Sequence, residues 1–211
     1  MNKRRWGLIQ QVSFPYSRLF CDVERLENDP LEEQGLGICY DLKKILGDVY
    51  GDIWSMSKQE ALDLYNNHQE ALTCAVAGPT WGITIRTSLL LDCHSFSERD
   101  NVLCPNAHEF KEIDICLGFN EDETRPSDEF IDSVKTFFTL CGYRVAYNFP
   151  FSNAKTIRPI GTQPLYHSLM IEINKHCYMN EDTMLLRQAT SNCIPNCKNS
   201  ISYSYIFNHV R

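Results

Sequence analysis

The apolar run Ser88-Leu89-Leu90-Leu91, broken off by Asp92-Cys93-His94-Ser95, constrains this chain more than any other stretch. Four residues of this kind read as a buried strand, and the polar residues that follow place a carboxylate and an imidazole at its carboxyl end. In open α/β sheets that end is where ligands bind. The plainer reading of the same residues is a strand followed by a polar turn that holds a satisfied histidine.

The rest of the chain supplies the elements that such a strand needs. Ser17-Arg18-Leu19-Phe20-Cys21-Asp22-Val23 alternates as a strand, and the acidic stretch 24–30, ended by Pro30, reads as a loop. Gly35-Leu36-Gly37 lacks a third glycine and a following helix, so it is no nucleotide fingerprint. Ser57-Lys58-Gln59-Glu60 has the form of a capping box, and Ala61, Leu64, Tyr65, Leu72, Ala75 and Val76 share a face, which predicts a helix over 58–76. A surface excursion over 97–112 precedes a strand over 113–119. Ser127-Asp128-Glu129 starts a second helix with Phe130, Val134, Phe137, Phe138 and Cys141 on its buried side, closed by Gly142. Strands are expected at 143–148 and 169–174, and a short helix at 181–189. The pattern is that of an α/β domain with a mixed, mostly parallel sheet flanked by helices on both faces.

Composition narrows the function. The chain has 211 residues, 43% hydrophobic and 22% charged, which suits a single globular domain over 1–211. A net charge of -7 argues against a nucleic-acid partner, which needs clustered Lys and Arg. No run approaches the roughly 18 apolar residues of a membrane span, so the expected place is the cytosol. Most of the ten cysteines sit inside apolar patterns and read as reduced, buried thiols. Cys193 and Cys197 have a spacing seen at zinc sites, but no second pair of ligands follows, and His209 is the one late candidate.

Four predicted strands end in polar residues: Asp22 with Arg25, Asp92 with His94, Asn148, and Glu172 with Asn174. A carboxylate such as Glu172 inside an apolar strand costs several kcal/mol unless it is paired or faces a cleft. One reading makes it a salt-bridge partner of Arg25 or Lys175. The other makes Glu172 a general base, His94 a metal- or proton-handling imidazole, and Arg25 a clamp for a substrate carboxylate.

Six ordered blocks carry a resemblance: 17–25, 35–40, 90–96, 114–118, 142–151 and 170–179, among them Leu-Leu-Asp-Cys-His-Ser-Phe and Met-Ile-Glu-Ile-Asn-Lys-His. Over residues 13 to about 183 the chain resembles the N-formylglutamate amidohydrolase family. The resemblance implies a fold like that of the zinc carboxypeptidases and aspartoacylase-type deacylases, in the phosphorylase/hydrolase-like class. It also implies zinc-assisted hydrolysis of the amide of an N-acylated acidic amino acid. In these terms His94 matches a metal ligand, Glu172 the catalytic glutamate, and Arg25, with Asn148 and Asn174, the substrate-binding set. The expected partner is a small N-acyl amino acid, with no nucleic acid and no membrane.

The chain departs from the family at three places. Residues 1–11 contain no histidine, cysteine or acidic residue, so His94 is the one family metal ligand that maps, and the domain is expected to be incomplete at its N-terminus. Glu24 stands where many relatives have asparagine, and Lys175 where they have arginine. The sequence therefore leaves three readings open: a working amidohydrolase, a truncated or degenerate relative that keeps at most a carboxylate-binding cleft, and an acidic interaction module.

Overall fold

The computed structural model describes residues 10–47, 58–77, 88–100, 104–155 and 166–187. The chain divides into two compact units, Met1–Ser88 with Ile157–Leu165, and Leu89–Thr156 with Tyr166–Arg211. No helix among the described residues is long and apolar enough to cross a membrane. Cys193, Cys197, His209 and the cap residue Ser57 lie outside the described residues.

The first unit is built on helix α2 (Lys58–Ala77), which follows the short α1 (Leu42–Leu46). Ala61, Tyr65, Leu72 and Val76 are buried along one face of α2, as their spacing predicts, and Ala61 and Tyr65 pack with Cys21, Val23 and Ile38. Gln69 is buried on the same face because its amide donates to the Val23 carbonyl at 3.2 Å, and the Tyr65 hydroxyl donates to the Arg25 carbonyl at 3.0 Å. The helix thus grips the main chain on either side of Glu24. The alternation over 17–23 does not become a strand. Asp22 turns inward, fully buried, and accepts from Arg18, Tyr40 and the Glu24 amide, while the Phe20 amide turns back to Ser17. A carboxylate that gathers its donors locally outweighs a weak period of two. Pro30–Gln34 is a 3₁₀ helix capped by the Asp29 side chain and closed by Gly35 at φ 87°.

The second unit holds a four-stranded sheet in the order β1-β4-β2-β3, with β1 Ser88–Phe96, β2 Ile115–Gly118, β3 Val145–Tyr147 and β4 Tyr166–Asn174. Strand β2 is parallel to β3 and antiparallel to β4, in a register that sets Cys116 opposite Glu172. Asp92 and Ser168 both bond Lys155, and farther on Glu98 and His176 meet beyond the ends of their strands, so β1 runs with β4. The α/β class and the mixed, mostly parallel sheet agree with the sequence reading.

Helix α3 (Asp128–Leu140) covers one face of the sheet. Ser127 caps it and Asp128 and Glu129 meet the positive end of its dipole. Its core face is Ile131, Val134 and Phe138, packed on Ile115, Leu117, Leu169, Ile171 and Ile173. Phe130 and Phe137 were expected on that face but stay 36% and 40% exposed, because each lies about 100° around the helix from the core line. Each fully buried Leu or Ile here contributes about 2 kcal/mol.

Past β4, the expected helix at 181–189 is replaced, as far as residue 187, by a hairpin of β5 (Met179–Asn180) and β6 (Leu185–Leu186). The Asn180 side chain accepts from the Asp182 and Thr183 amides and makes the turn that the polar run 180–183 favours.

An ionic network ties the start of β2 to the start of β3 and to residues just beyond the ends of β4 and β1. Asp114 accepts from the Arg144 amide at 2.7 Å, from its guanidinium at 2.8 and 3.1 Å, and pairs with His176 at 2.7 Å; the other ring nitrogen of His176 meets Glu98 at 2.7 Å. Burial pushes the Asp114 carboxyl up, but the hydrogen bonds from Arg144 and His176 and the charge of Arg144 outweigh it and hold it at about 2. A carboxylate depressed on folding stabilises the fold fully above the unfolded value of about 3.9, and that stabilisation is lost as pH falls towards the folded value. With Arg144 half-exposed, the contribution is about 1–2 kcal/mol. Urea midpoints should drop between pH 5 and pH 2.5, and Asp114→Asn should remove that part of the slope. An unchanged slope in the variant would assign the acid sensitivity elsewhere.

Candidate active site

The face of the sheet opposite α3 carries the polar side chains that form the candidate site. Side chains alternate along a strand, so Asp92, His94 and Phe96 share one face of β1, and Ser168, Met170, Glu172 and Asn174 share one face of β4. Two bridges show that these are the same face. Asp92 and Ser168 both bond Lys155, through its amide at 3.2 Å and its carbonyl at 2.7 Å. Phe96 stacks edge-on against Phe151, whose carbonyl accepts from the thiol of Cys116, the cross-strand partner of Glu172. The two residues that sequence reading singled out, His94 and Glu172, are therefore brought to one face of adjacent strands.

Strand β1 does not stop at Asp92 but continues to Phe96, so the carboxylate and imidazole lie inside the strand rather than at its end. Polar residues can extend a strand when one face offers them partners. His94 Nε2 lies 2.8 Å from Asp92 Oδ1. The other Asp92 oxygen takes the Lys155 amide, which fixes the carboxylate and through it the ring. Glu172 is buried, 8% exposed, with Cys116 across from it. Burial pushes the Cys116 thiol up, and the nearby charge of Glu172 pushes the same way, so the thiol keeps its proton.

The loop 149–155 lies over this face. Besides its bonds to Cys116, Ser168 and Asp92, its Ala154 amide donates to the Asn120 side chain at 2.9 Å. Phe149 and Phe151 pack edge-on with Phe110, and Phe151 with Phe96, in an aromatic group beside Cys116. Asn148 precedes the loop at φ 48°, a left-handed conformation that asparagine tolerates. Its backbone amide donates to Leu117 and its Oδ1 accepts from Phe119, both at 2.9 Å, while its Nδ2 makes no hydrogen bond to a described residue. Asn174 is wholly buried: its Nδ2 donates to the Ile113 carbonyl at 3.0 Å and its Oδ1 accepts from the His176 amide at 3.3 Å. Asn174 thus ties the chain turn after β4 to the segment that leads into β2.

Arg25 belongs to the first unit. Its guanidinium stands 3.4 Å from Asp22 and 3.7 Å from Asp29 and makes no hydrogen bond to a described residue. The side chain is 24% exposed on a main chain held by Tyr65 and Gln69.

A second group with metal-ligand chemistry, Asp114, His176 and Cys177, is a structural network. The Arg144 guanidinium occupies both oxygens of Asp114, and burial with the charge of Asp114 pushes the Cys177 thiol up to about 12. A protonated thiol beside a guanidinium does not attract a cation. Nothing local in the sequence marks this network; it exists because antiparallel pairing puts the start of β2 beside the end of β4.

The decisive comparison is with family models, where that of N-formylglutamate amidohydrolase matches residues 3–179. The chain belongs to the N-formylglutamate amidohydrolase family. This agrees with the six sequence blocks and makes the chain, at family level, a hydrolase. The chain is also similar to the crystal structure of N-formylglutamate amidohydrolase from Ralstonia eutropha JMP134, with 23% sequence identity and a TM-score of 0.59 over 81% of this chain and 67% of that one. At that identity the likeness shows the fold. No curated protein matches the chain.

Proposed function

We propose that this chain hydrolyses the amide of an N-acylated acidic amino acid of the N-formyl-L-glutamate type, releasing formate and glutamate. The observation that carries the reading is the placement of His94, fixed by Asp92, on the same sheet face as the buried Glu172. Family membership supports it.

A catalytic zinc takes imidazole and carboxylate donors, usually three. His94 and Asp92 are donors of the right chemistry and supply two of them. They are the residues proposed to hold the metal, which would acidify an attacking water and polarise the amide carbonyl. Glu172 serves as the proton carrier: its carboxylate takes a proton from the attacking water and returns it to the departing amine. Burial favours this role, since a site closed to bulk water keeps the proton on its path. Arg25 is proposed to hold the substrate carboxylate through its unused N–H donors, and the Asn148 amide to donate to the substrate. Asn174 acts through the chain turn that it holds.

The test is formate release from N-formyl-L-glutamate by metal-replete protein, with metal content measured beside it. One zinc per chain and turnover are expected, and His94→Ala should lose both, with activity down by about a thousand-fold. Absence of turnover in zinc-replete protein would overturn the reading. If glutamate still bound, the non-catalytic relative with a carboxylate cleft would take its place.

A further inference from the structure

One oxygen of Asp22 faces more donors than it can serve. Its Oδ2 accepts from the Tyr40 hydroxyl at 2.6 Å and from Arg18 Nη2 at 2.7 Å, and its Oδ1 accepts from the Glu24 amide at 3.1 Å. A carboxylate oxygen has two lone pairs, so Oδ2 is saturated. Arg25 Nε lies 3.4 Å from that same oxygen and forms no hydrogen bond. The Arg25 backbone cannot shift to relieve this, because its amide donates to the Asp22 carbonyl at 3.2 Å and its carbonyl accepts from Tyr65. Only the side chain is able to move.

We propose that Tyr40 is a positioning residue for Arg25: by filling Asp22 Oδ2 together with Arg18, its hydroxyl keeps the guanidinium from closing onto Asp22 and leaves it open to a substrate carboxylate. The inference rests on the substrate role given to Arg25 above. An arginine that binds a carboxylate in bidentate fashion presents two parallel N–H groups, and an Nε drawn onto Asp22 removes one edge of that fork. Coulomb attraction to Asp22 and Asp29 still holds the charge in place. Tyr40 is buried at 9% exposure, and burial together with its bond to Asp22 pushes its hydroxyl up, so it remains a donor at neutral pH.

The experiment is Tyr40→Phe in the metal-replete protein, read as kcat and KM for N-formylglutamate and as glutamate affinity by calorimetry. The expected result is KM raised about tenfold, glutamate affinity lowered by a similar factor, and kcat within about twofold. Arg18→Met frees the other lone pair of that oxygen, from a side chain that is 52% exposed, and should shift KM in the same direction, which keeps the test open if Tyr40→Phe folds poorly. A double-mutant cycle separates positioning from a general structural effect: with Arg25→Ala in place, Tyr40→Phe should change KM no further. An unchanged KM in both single variants, or the same KM increase with and without Arg25, overturns the proposal. If wild-type protein neither turns over N-formylglutamate nor binds glutamate, the role of Arg25 falls first and Tyr40 has nothing to position.

Discussion

Glutamine at position 172 is expected to lower kcat on N-formylglutamate by about a thousand-fold, within the 10²–10⁴ range of general acid–base catalysis. The change keeps the shape of the side chain and removes only its ability to carry a proton. Glu172 lies opposite Cys116 and on the face of Asp92 and His94, and the variant leaves all three in place. Metal content, KM and the urea midpoint should therefore stay near those of the wild type, which separates a lost proton carrier from a damaged sheet. Glu172→Asp keeps the acid but draws it back by one methylene, and should recover part of the rate. If kcat of the glutamine variant stayed within about tenfold of wild type, Glu172 would be a structural carboxylate and the sheet face would need another base.

The largest effect on stability is expected from alanine at Gly118. This glycine pairs with Met170 on the last register position of β2 and β4. A Cβ built there runs into the Asn153 carbonyl oxygen and the Met170 methyl. The methyl sits at the end of a flexible side chain and moves cheaply. The carbonyl belongs to loop 149–155, which is tied at Cys116, Asn120, Asp92 and Ser168, so the loop must lift as a unit. Overpacking of this kind costs about 3 kcal/mol, and more where backbone has to shift. Chemical denaturation should show that loss, and Asp92 and His94 should be disturbed with it, because Asp92 loses its bond to Lys155. A Gly118→Ala protein of wild-type stability would mean that the loop stands off the sheet in solution.

The elements legible in the sequence were those whose signals are local. The period of α2, the cap of α3 at Ser127 and the apolar runs of β2 and β4 each reflect short-range chemistry, and the structure places them within a few residues of the reading. Residues 17–23 misled because their alternation is weak, and Asp22, which looked like an outward strand residue, is the buried hub of a turn. Residues 92–96 misled in the opposite way. Polar side chains look like the end of a strand, yet here the loop 149–155 gives them bonds that let the strand continue. His94 and Glu172 could be named from the sequence, but their shared face follows from the neighbouring of β1 and β4, which no local pattern encodes. The roles of Tyr40 with Asp22, and of His176 with Asp114, were hidden for the same reason, since each joins residues far apart in the chain.

The strand order β1-β4-β2-β3 also says when the face that carries His94 and Glu172 comes into being. Strand β4 is the last of the four to be synthesised, yet it lies between β1 and β2, so a growing chain has no continuous sheet until residue 174 has left the ribosome. Until then β1 and β2 expose edges that only β4 can close, and the pairing that closes them spans more than half a hundred residues, a slow event in folding. Glu172 arrives on that final strand. The group proposed to move the proton is installed by the same step that completes the sheet, so a shorter nascent chain holds His94 without it.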